Sequence, residues 1–383
     1  METRALYVSS VTEIWKLNHL KMSLRKTTLL FIFIASIIVT ACEGDFRSRA
    51  QGAINEVFIV MDSTQFNSQT AEAIRATYGK YQFHMLNPEE NYNLTFTDIQ
   101  SNAQLDRLKG MKNIIFAGII DDSSNVSSAI RGFLDAGVEA RVRSGESFAF
   151  PIKDQWYKDQ YALILSSTSD SALAEKIINS ERSLIPDILE RELSRWTYEV
   201  YEKKEQTQYS DSMWAQHGFK VRIQHDYVSR IDTTDFISFR RNLEVNDRWI
   251  WVWWKDNVTD IGFLDSDWIN ATRDSLNEQY IKGSNMDKYV TTEYNERIQR
   301  RFNSFQKGRL IGYETQGWWT MVNAAMGGPF VNFTYYDPAT NRLFMIEYSQ
   351  FAPSVKNKLP FIRQFRAMGR TFESDSTWNQ ASS

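Results

Sequence analysis

The sequence predicts an α/β (α+β) fold: two layered α/β domains, the second a mainly antiparallel sheet with helices on its faces. In the first half, short continuous apolar runs alternate with helix-like stretches. The second half is richer in strand-like segments. Near its end, two apolar runs flank the turn Asp337-Pro338-Ala339-Thr340-Asn341, a hairpin signature. Continuous apolar strands suit a sheet covered on both faces, and alternation of strand with helix suits stacked layers.

The elements follow in chain order. Residues 56–61 read as a buried strand. Ser68 starts a helix carrying Ala71, Ile74 and Tyr78, and Gly79 stops it. Ser101-Asn102-Ala103-Gln104 is a capping box, in which serine and glutamine side chains satisfy free backbone N–H groups at a helix start. A continuous apolar strand is expected over 113–120, then a helix over 127–136 with Gly137 as its C-terminal stop. Residues 160–165 form another strand, and Asp170 begins a helix through Leu173 and Ile177. Ser183, with Pro186 in the first turn, begins a longer helix. Its apolar stripe is Ile185, Leu189, Leu193, Trp196 and Val200, at helical spacing. The polar run 203–212 is either a domain boundary or the exposed end of that helix.

Beyond it, strands are expected at 219–223, 236–240 and 249–254. Ser266 caps a helix through Ile269, Leu276 and Tyr280. Further strands are expected at 289–294, 301–305, 309–315, 330–336 and 342–348, and a last helix at 357–368. The domains are expected to span 54–210 and 211–373, with a disordered tail at 374–383. Asp followed by Ser or Thr recurs, as at Asp170 and Asp274, where helix capping explains it well.

The N-terminal segment carries a cellular address. A basic cluster, Lys21, Arg25 and Lys26, precedes an apolar run at 29–39 and the small residues Thr40-Ala41. That order makes a secretory signal. The apolar run is about a dozen residues, short of the ~20 that cross a bilayer. Cys42, the single cysteine, follows directly, so the segment resembles a bacterial lipoprotein signal. The resemblance implies that Cys42 is acylated and becomes the first mature residue. More than one acyl chain gives stable anchoring. Residues 1–21 do not fit a signal, so translation is expected to begin at Met22. The signal is then 22–41, and 42–53 is a tether.

Composition narrows the chemistry. Residues 1–41 carry five basic and two acidic residues, so their removal takes the net charge from −3 to −6. That lacks the basic footprint of a nucleic-acid binder. With Cys42 acylated, no thiol remains for a disulfide, nucleophile or thiolate metal site. His84, His217 and His225 lack the close helical spacing of a zinc hydrolase. No metal or cofactor is expected. No nucleophile elbow, phosphate loop or Rossmann glycine pattern occurs.

Three constellations invite functional readings. In a strand, Trp249, Trp251 and Trp253 share one face, and Ile250, Val252 and Trp254 the other. The row is a sugar-stacking platform or a central strand, and apolar residues on both faces favour the strand. Trp318, Trp319 and Phe330, beside Gly327-Gly328-Pro329 and with Lys356 and Lys358, are candidate partner-binding residues. The glycines allow a tight turn and close approach, the aromatics give contact area, and the lysines meet an anionic partner. The plainer reading is a turn leading into a hairpin strand. Glu314 and Glu347 lie on expected strands and are either a glycosidase pair, which needs ~5–9 Å across a sugar bond, or salt-bridged acids.

Gly327-Gly328-Pro329-Phe330-Val331, Ala352-Pro353, Lys356, Lys358 and Phe361-Ile362-Arg363-Gln364 resemble a family of uncharacterised Bacteroidota lipoproteins, domain of unknown function 4837. Asn55-Glu56-Val57, Met61-Asp62 and Gln160 fit the same family. The resemblance implies an envelope location and an extent over nearly the whole mature chain, and no catalytic residue. It also makes the Asp-Ser/Thr sites candidates for O-glycans. The second half resembles the PsbP type of sandwich by fold-level analogy. The expected function is a non-catalytic, lipid-anchored cell-envelope protein that binds a partner protein or cell-wall glycan. The outer membrane is the expected membrane, with its face left open. The alternative is an envelope glycan hydrolase using acidic residues. Cys42→Ser is expected to leave an uncleaved or soluble precursor, and membrane partitioning after alkaline washing checks it. Partitioning like wild type overturns the assignment.

Overall fold

The computed structural model describes residues 47–378, apart from 203, 284 and 286 and the side chain of Lys153. Cys42, the expected signal and the residues after 378 lie outside the described residues. From Arg49 onward the chain forms one compact unit holding two large sheets.

The first sheet grows from the apolar runs of the N-terminal half. The elements are β1 (Glu56–Val60), α1 (Gln69–Tyr78), β2 (Asn93–Thr97), α2 (Asn102–Lys109), β3 (Asn113–Ile119), α3 (Asn125–Phe133), α4 (Ala136–Arg143), β4 (Ala149–Lys153), β5 (Tyr161–Ser167), α5 (Asp170–Asn179) and α6 (Glu181–Tyr201). Strand order is β2-β1-β3-β5-β4, parallel except for β4. Val57, Ile59, Ile115, Leu163 and Leu165 pack under α1, α5 and α6. Val60, Ile114, Phe116, Ala162 and Ile164 pack under α2, α3 and α4. Coverage on both faces explains why β3 and β5 read as unbroken apolar runs. Ser68 and Ser101 accept from Ala71 N and Gln104 N, as expected of caps.

The second sheet is antiparallel. After α7 (Thr207–His217) come β6 (Val228–Asp232), β7 (Phe236–Leu243), β8 (Asn246–Lys255), α8 (Ser266–Tyr280), β9 (Val290–Thr292), β10 (Arg301–Lys307), β11 (Leu310–Met321), β12 (Ala324–Asp337), β13 (Arg342–Phe351) and α9 (Leu359–Gly369). The order is β9-β11-β12-β13-β8-β7-β6, with β10 pairing β11 beside β9. One face buries Ile250, Val252, Phe333, Tyr335, Ile346 and Tyr348 against α7 and α9. The other buries Trp251, Phe236 and Met345 against α8. Trp251 is fully buried and its Nε1 donates to Asn277 Oδ1 at 3.1 Å. The tryptophan row is therefore a core strand at its centre.

The two sheets meet through α6 and α9. The buried face of α6 is Leu184, Ile188, Glu192, Arg195, Val200 and Tyr201, one position off the apolar stripe expected from Ile185 except at Val200, which is buried as expected. Glu192 and Arg195 supply polar groups where the stripe predicts hydrocarbon. Arg363 Nη1 on α9 lies 2.7 Å from Glu192 Oε1, and Tyr92 Oη donates to Glu192 Oε2 at 2.9 Å. Arg195 reaches Asn113 Oδ1 at 2.6 Å and Lys112 O at 2.8 Å, tying α6 to the start of β3. On β11, buried Glu314 takes Arg366 Nε at 2.5 Å and Arg370 Nη2 at 3.0 Å. The Glu89 carboxylate accepts from Lys358 N at 2.6 Å and Leu359 N at 3.1 Å, so a first-half acid caps α9.

Several expectations change. Gly137 lies inside α4, whose cap is Asp135, so it stops nothing. The long helix starts at Glu181 and takes Pro186 into its interior. Asp265, not Ser266, caps α8. Asp170 accepts from Gln69 N and Thr70 N, capping the neighbouring α1, while Ser169 caps its own helix. Asp274 accepts from Thr292 N at 2.7 Å and caps no helix. The strand expected at 219–223 is reduced to Phe219–Lys220, which pairs with Glu373–Ser374. The expected tail thus begins with an ordered strand residue, and Trp378 lies under the Arg342 guanidinium. The expected boundary at 210/211 falls within α7.

Glu314 gives a test of the seam. Burial alone raises a carboxyl, but Arg366 and Arg370 hold this one below its ordinary value. Its folded value lies below the unfolded one. Its contribution is therefore complete at neutral pH and is lost as pH falls below the unfolded ~4.3. Glu314→Gln strands two guanidiniums and is expected to cost ~3–5 kcal/mol at pH 7. Urea unfolding checks it, and the gap to wild type should narrow below pH ~4.

Candidate functional site

On the α8 side of the second sheet lies an open cleft of about 690 Å³. Its wall on the helix side is Tyr280, Ile281, Lys282, Gly283, Lys288 and Val290. The sheet supplies Trp249 from β8, Trp319 and Met321 from β11, Met326 from β12 and Phe351 from β13. The lining is mostly apolar, with Arg230, Arg240, Lys282 and Lys288 at its edges. Among the described residues of that lining Asp247 is the lone carboxylate, and it forms an ion pair with Arg240 Nη2 at 2.5 Å. Among the described residues, Arg230, Lys282 and Lys288 have no ion-pair partner. The cleft therefore offers hydrocarbon inside and free positive charge outside.

Local packing builds this cavity. Trp249 and Trp319 meet edge to face, with ring centroids 5.2 Å apart and planes at 61°. The Trp319 indole passes over β12 and donates from Nε1 to Gln350 O on β13 at 3.1 Å. Trp319 pairs with Gly328, and a Cβ on Gly328 would strike both that indole and the Gln350 carbonyl. Gly328 is thus the residue an aromatic crosses, inside a strand. The turn expected at the paired glycines sits instead between Met321 and Ala324. Close approach, the second property expected of these glycines, is the one that operates.

Beneath the cleft, α8 is fixed by charge. Arg273, fully buried, holds Glu347 in a fork: Nε to Oε2 at 2.5 Å and Nη2 to Oε1 at 2.8 Å. Its guanidinium carbon lies 3.8 Å from the centroid of Phe330. Ser349 Oγ donates to Glu347 Oε1 at 2.6 Å, and Arg273 Nη1 donates to Thr292 Oγ1 at 3.0 Å. Tyr280 stacks on Phe236 at 3.9 Å, which aims the end of α8 along the cleft.

The residues singled out by sequence do not form one surface. Trp319 and Phe330 are fully buried beside Val290, and of the two Trp319 lines the cleft and Phe330 does not. Trp318 packs in the core on the opposite face, against α7 and α9. Lys356 lines a separate hollow with Asn55, Tyr81 and Glu90. Lys358 turns its Nζ onto the carbonyls of Ala352 and Val355. Neither lysine lines the cleft. Glu314 and Glu347 pair with Phe333 and Asn332, adjacent residues of β12, so they point to opposite faces. Each is bound by arginine, as the salt-bridge reading expects. Sequence reasoning missed Arg230, Ile281, Lys288, Met321 and Met326. Their signal was weak, since single basic or apolar residues at strand ends are common on any surface.

Residues 206–371 match the family model described as Domain of unknown function (DUF4837). Residues 50–201 match a second, Domain of unknown function (DUF8532). No curated protein matches the chain. Among solved structures, the Ran-binding protein Mog1p of Saccharomyces cerevisiae is similar at 10% identity and TM-score 0.26, over 42% of this chain and 92% of that one. A point mutant of protein Mog1 is similar at 11% identity and TM-score 0.24, over 42% of this chain and 92% of that chain.

The Arg273–Glu347 fork is expected to support the cleft. Arg273→Met leaves a buried carboxylate and should cost ~3–5 kcal/mol. Adding Glu347→Gln should recover part of that, because the stranded charge goes with it. Chemical denaturation of both variants checks the cycle, and a simple sum of two losses would sink it.

Proposed function

We propose that this chain is a lipid-anchored cell-envelope protein, of the Bacteroidota lipoprotein kind its sequence resembles, and that its body binds an anionic amphiphile. The observation that carries the binding reading is the cleft itself: apolar walls of Trp249, Ile281, Met321, Met326 and Phe351 under a rim of Arg230, Lys282 and Lys288. A volume of about 690 Å³ suits a small-molecule ligand. Unbranched methionines adapt to flexible chains. Unpaired rim cations favour an anionic head group. A fatty acid or the exposed end of an anionic lipid meets both demands. In this reading, anchoring through Cys42 has one role: it keeps the cleft at a lipid surface.

The expected glycan partner fits less well. Stacking a sugar needs an open ring face, and Trp319 is fully buried while Trp249 meets it edge to face. The hydrolase alternative asks for two converging carboxylates. Among its described residues the cleft lining offers Asp247 alone, held by Arg240. Binding without chemistry is the better supported function.

Titrating the protein with dodecanoate, followed by tryptophan fluorescence, tests this. Wild type is expected to bind dodecanoate well above an uncharged alkyl glycoside of equal chain length. Arg230→Glu with Lys288→Glu should weaken dodecanoate at least about tenfold while leaving the melting temperature unchanged, since both side chains lie at the rim. Equal affinity of wild type and variant, or no response to either amphiphile, would overturn the reading.

A further inference from the structure

A second hollow, of about 130 Å³, lies in the seam between the two sheets, away from the cleft. It is lined by Thr77 and the segment around Gln82 and His84 from the first half, and by Arg301, Arg363 and Arg366 from the second. His84 is 1% exposed, and among the described residues neither ring nitrogen has a hydrogen-bond partner. Thr77 Oγ1 and Gln82 Oε1 are buried there with no partner either. Buried polar groups in folded proteins are satisfied almost without exception, so several orphans facing one hollow point to something that belongs in it.

The charge says what. Arg363 is paired with Glu192, while Arg366 and Arg370 share Glu314. Arg301 feels Glu314 only beside Arg366, and among the described residues no carboxylate pairs with it. Three guanidiniums thus line the hollow, Arg363 and Arg366 held by Glu192 and Glu314 from outside its lining and Arg301 by neither. Lys80 and Glu181, also in the lining, neutralise each other at 2.9 Å. Water, at ~30 Å³ each, would fill the volume and meet the orphan atoms, but it leaves the excess charge uncompensated. An oxyanion meets both needs. Its oxygens accept from arginine, from the imidazole N–H and from the Thr77 hydroxyl. An oxyanion that carries a hydrogen also donates to Gln82 Oε1.

We propose that this hollow is a binding site for a small phosphate-class oxyanion, free or as the terminal group of a larger molecule. His84 provides a reporter. Burial and the nearby Arg301 and Arg366 push its imidazole down to about 3, so the ring is neutral without an anion beside it. An anion beside it moves that value up.

The test is calorimetric titration of the full-length protein with inorganic phosphate, sulfate and acetate, with the His84 resonance followed by selective labelling. Phosphate is expected to bind at one site, raise the melting temperature and shift His84. Sulfate, which carries no hydrogen at neutral pH, should bind more weakly, and acetate weaker still. Arg301→Gln and His84→Asn should each reduce phosphate affinity at least about tenfold. Should His84→Asn not fold, Arg301→Gln decides, because Arg301 sits on an exposed strand. Comparison with glycerol phosphate separates a free anion from a terminal group, and binding of either supports the site. Phosphate binding that neither shifts His84 nor weakens in Arg301→Gln overturns the proposal. So does an absence of phosphate binding, or acetate binding alone.

Discussion

Buried carboxylates held by arginines organise this molecule. Glu192 and Glu314 sit at the seam between the sheets, and Arg363, Arg366 and Arg370 reach them from a single helix. A charge taken out of water is costly unless a well-placed partner and further hydrogen bonds offset it. Here the partners come from opposite halves of the chain. Glu192 belongs to α6, and Arg363 to α9, with Tyr92 completing the shell. Slippage of α9 along α6 would strand these charges, so the pairs select one register where hydrocarbon packing would tolerate several. The Glu89 cap on α9 works in the same direction.

The second sheet repeats the device on its other face. Glu347 is gripped by Arg273 of α8, two strands away from Glu314 and pointing the opposite way. The sheet is therefore pinned from both sides by ion pairs set in apolar surroundings. This arrangement divides the basic residues into two populations. Arg273, Arg363 and Arg366 are occupied by structural carboxylates, whereas among the described residues Arg230 and Lys288 at the cleft rim, and Arg301 at the seam, have none. Cations left over after structural pairing are the ones available to a ligand.

Local chemistry was legible in the sequence wherever a few adjacent residues decide the outcome. Ser68 and Ser101 cap their helices because a short hydroxyl reaches a backbone N–H three residues on. The Asp337–Asn341 turn forms the hairpin expected of it, with Ala339 N donating to Asp337 Oδ1 at 3.0 Å. Strands β3 and β5 are continuous apolar runs because both faces are covered. Failures came where neighbours compete. Gly137 looked like a stop, but Asp135 two residues earlier caps a new helix that absorbs it. Asp170 looked like a cap for its own helix and serves α1, because the two helix starts lie side by side.

By itself, then, the sequence determined the alternation of elements, the apolar strands of both sheets and the burial of Trp251. Periodicity and capping are short-range properties, and a linear reading contains them. Only the tertiary structure decided which face of α6 is buried, because Glu192 and Arg195 become core residues only when partners arrive from distant segments. It also decided that Trp318 and Trp319 point to opposite faces and that Trp249 and Trp319 meet in a cleft. Adjacent residues of a strand diverge, while residues 70 positions apart converge through register. Register is set by the pairing of whole strands, a long-range outcome that no local pattern encodes.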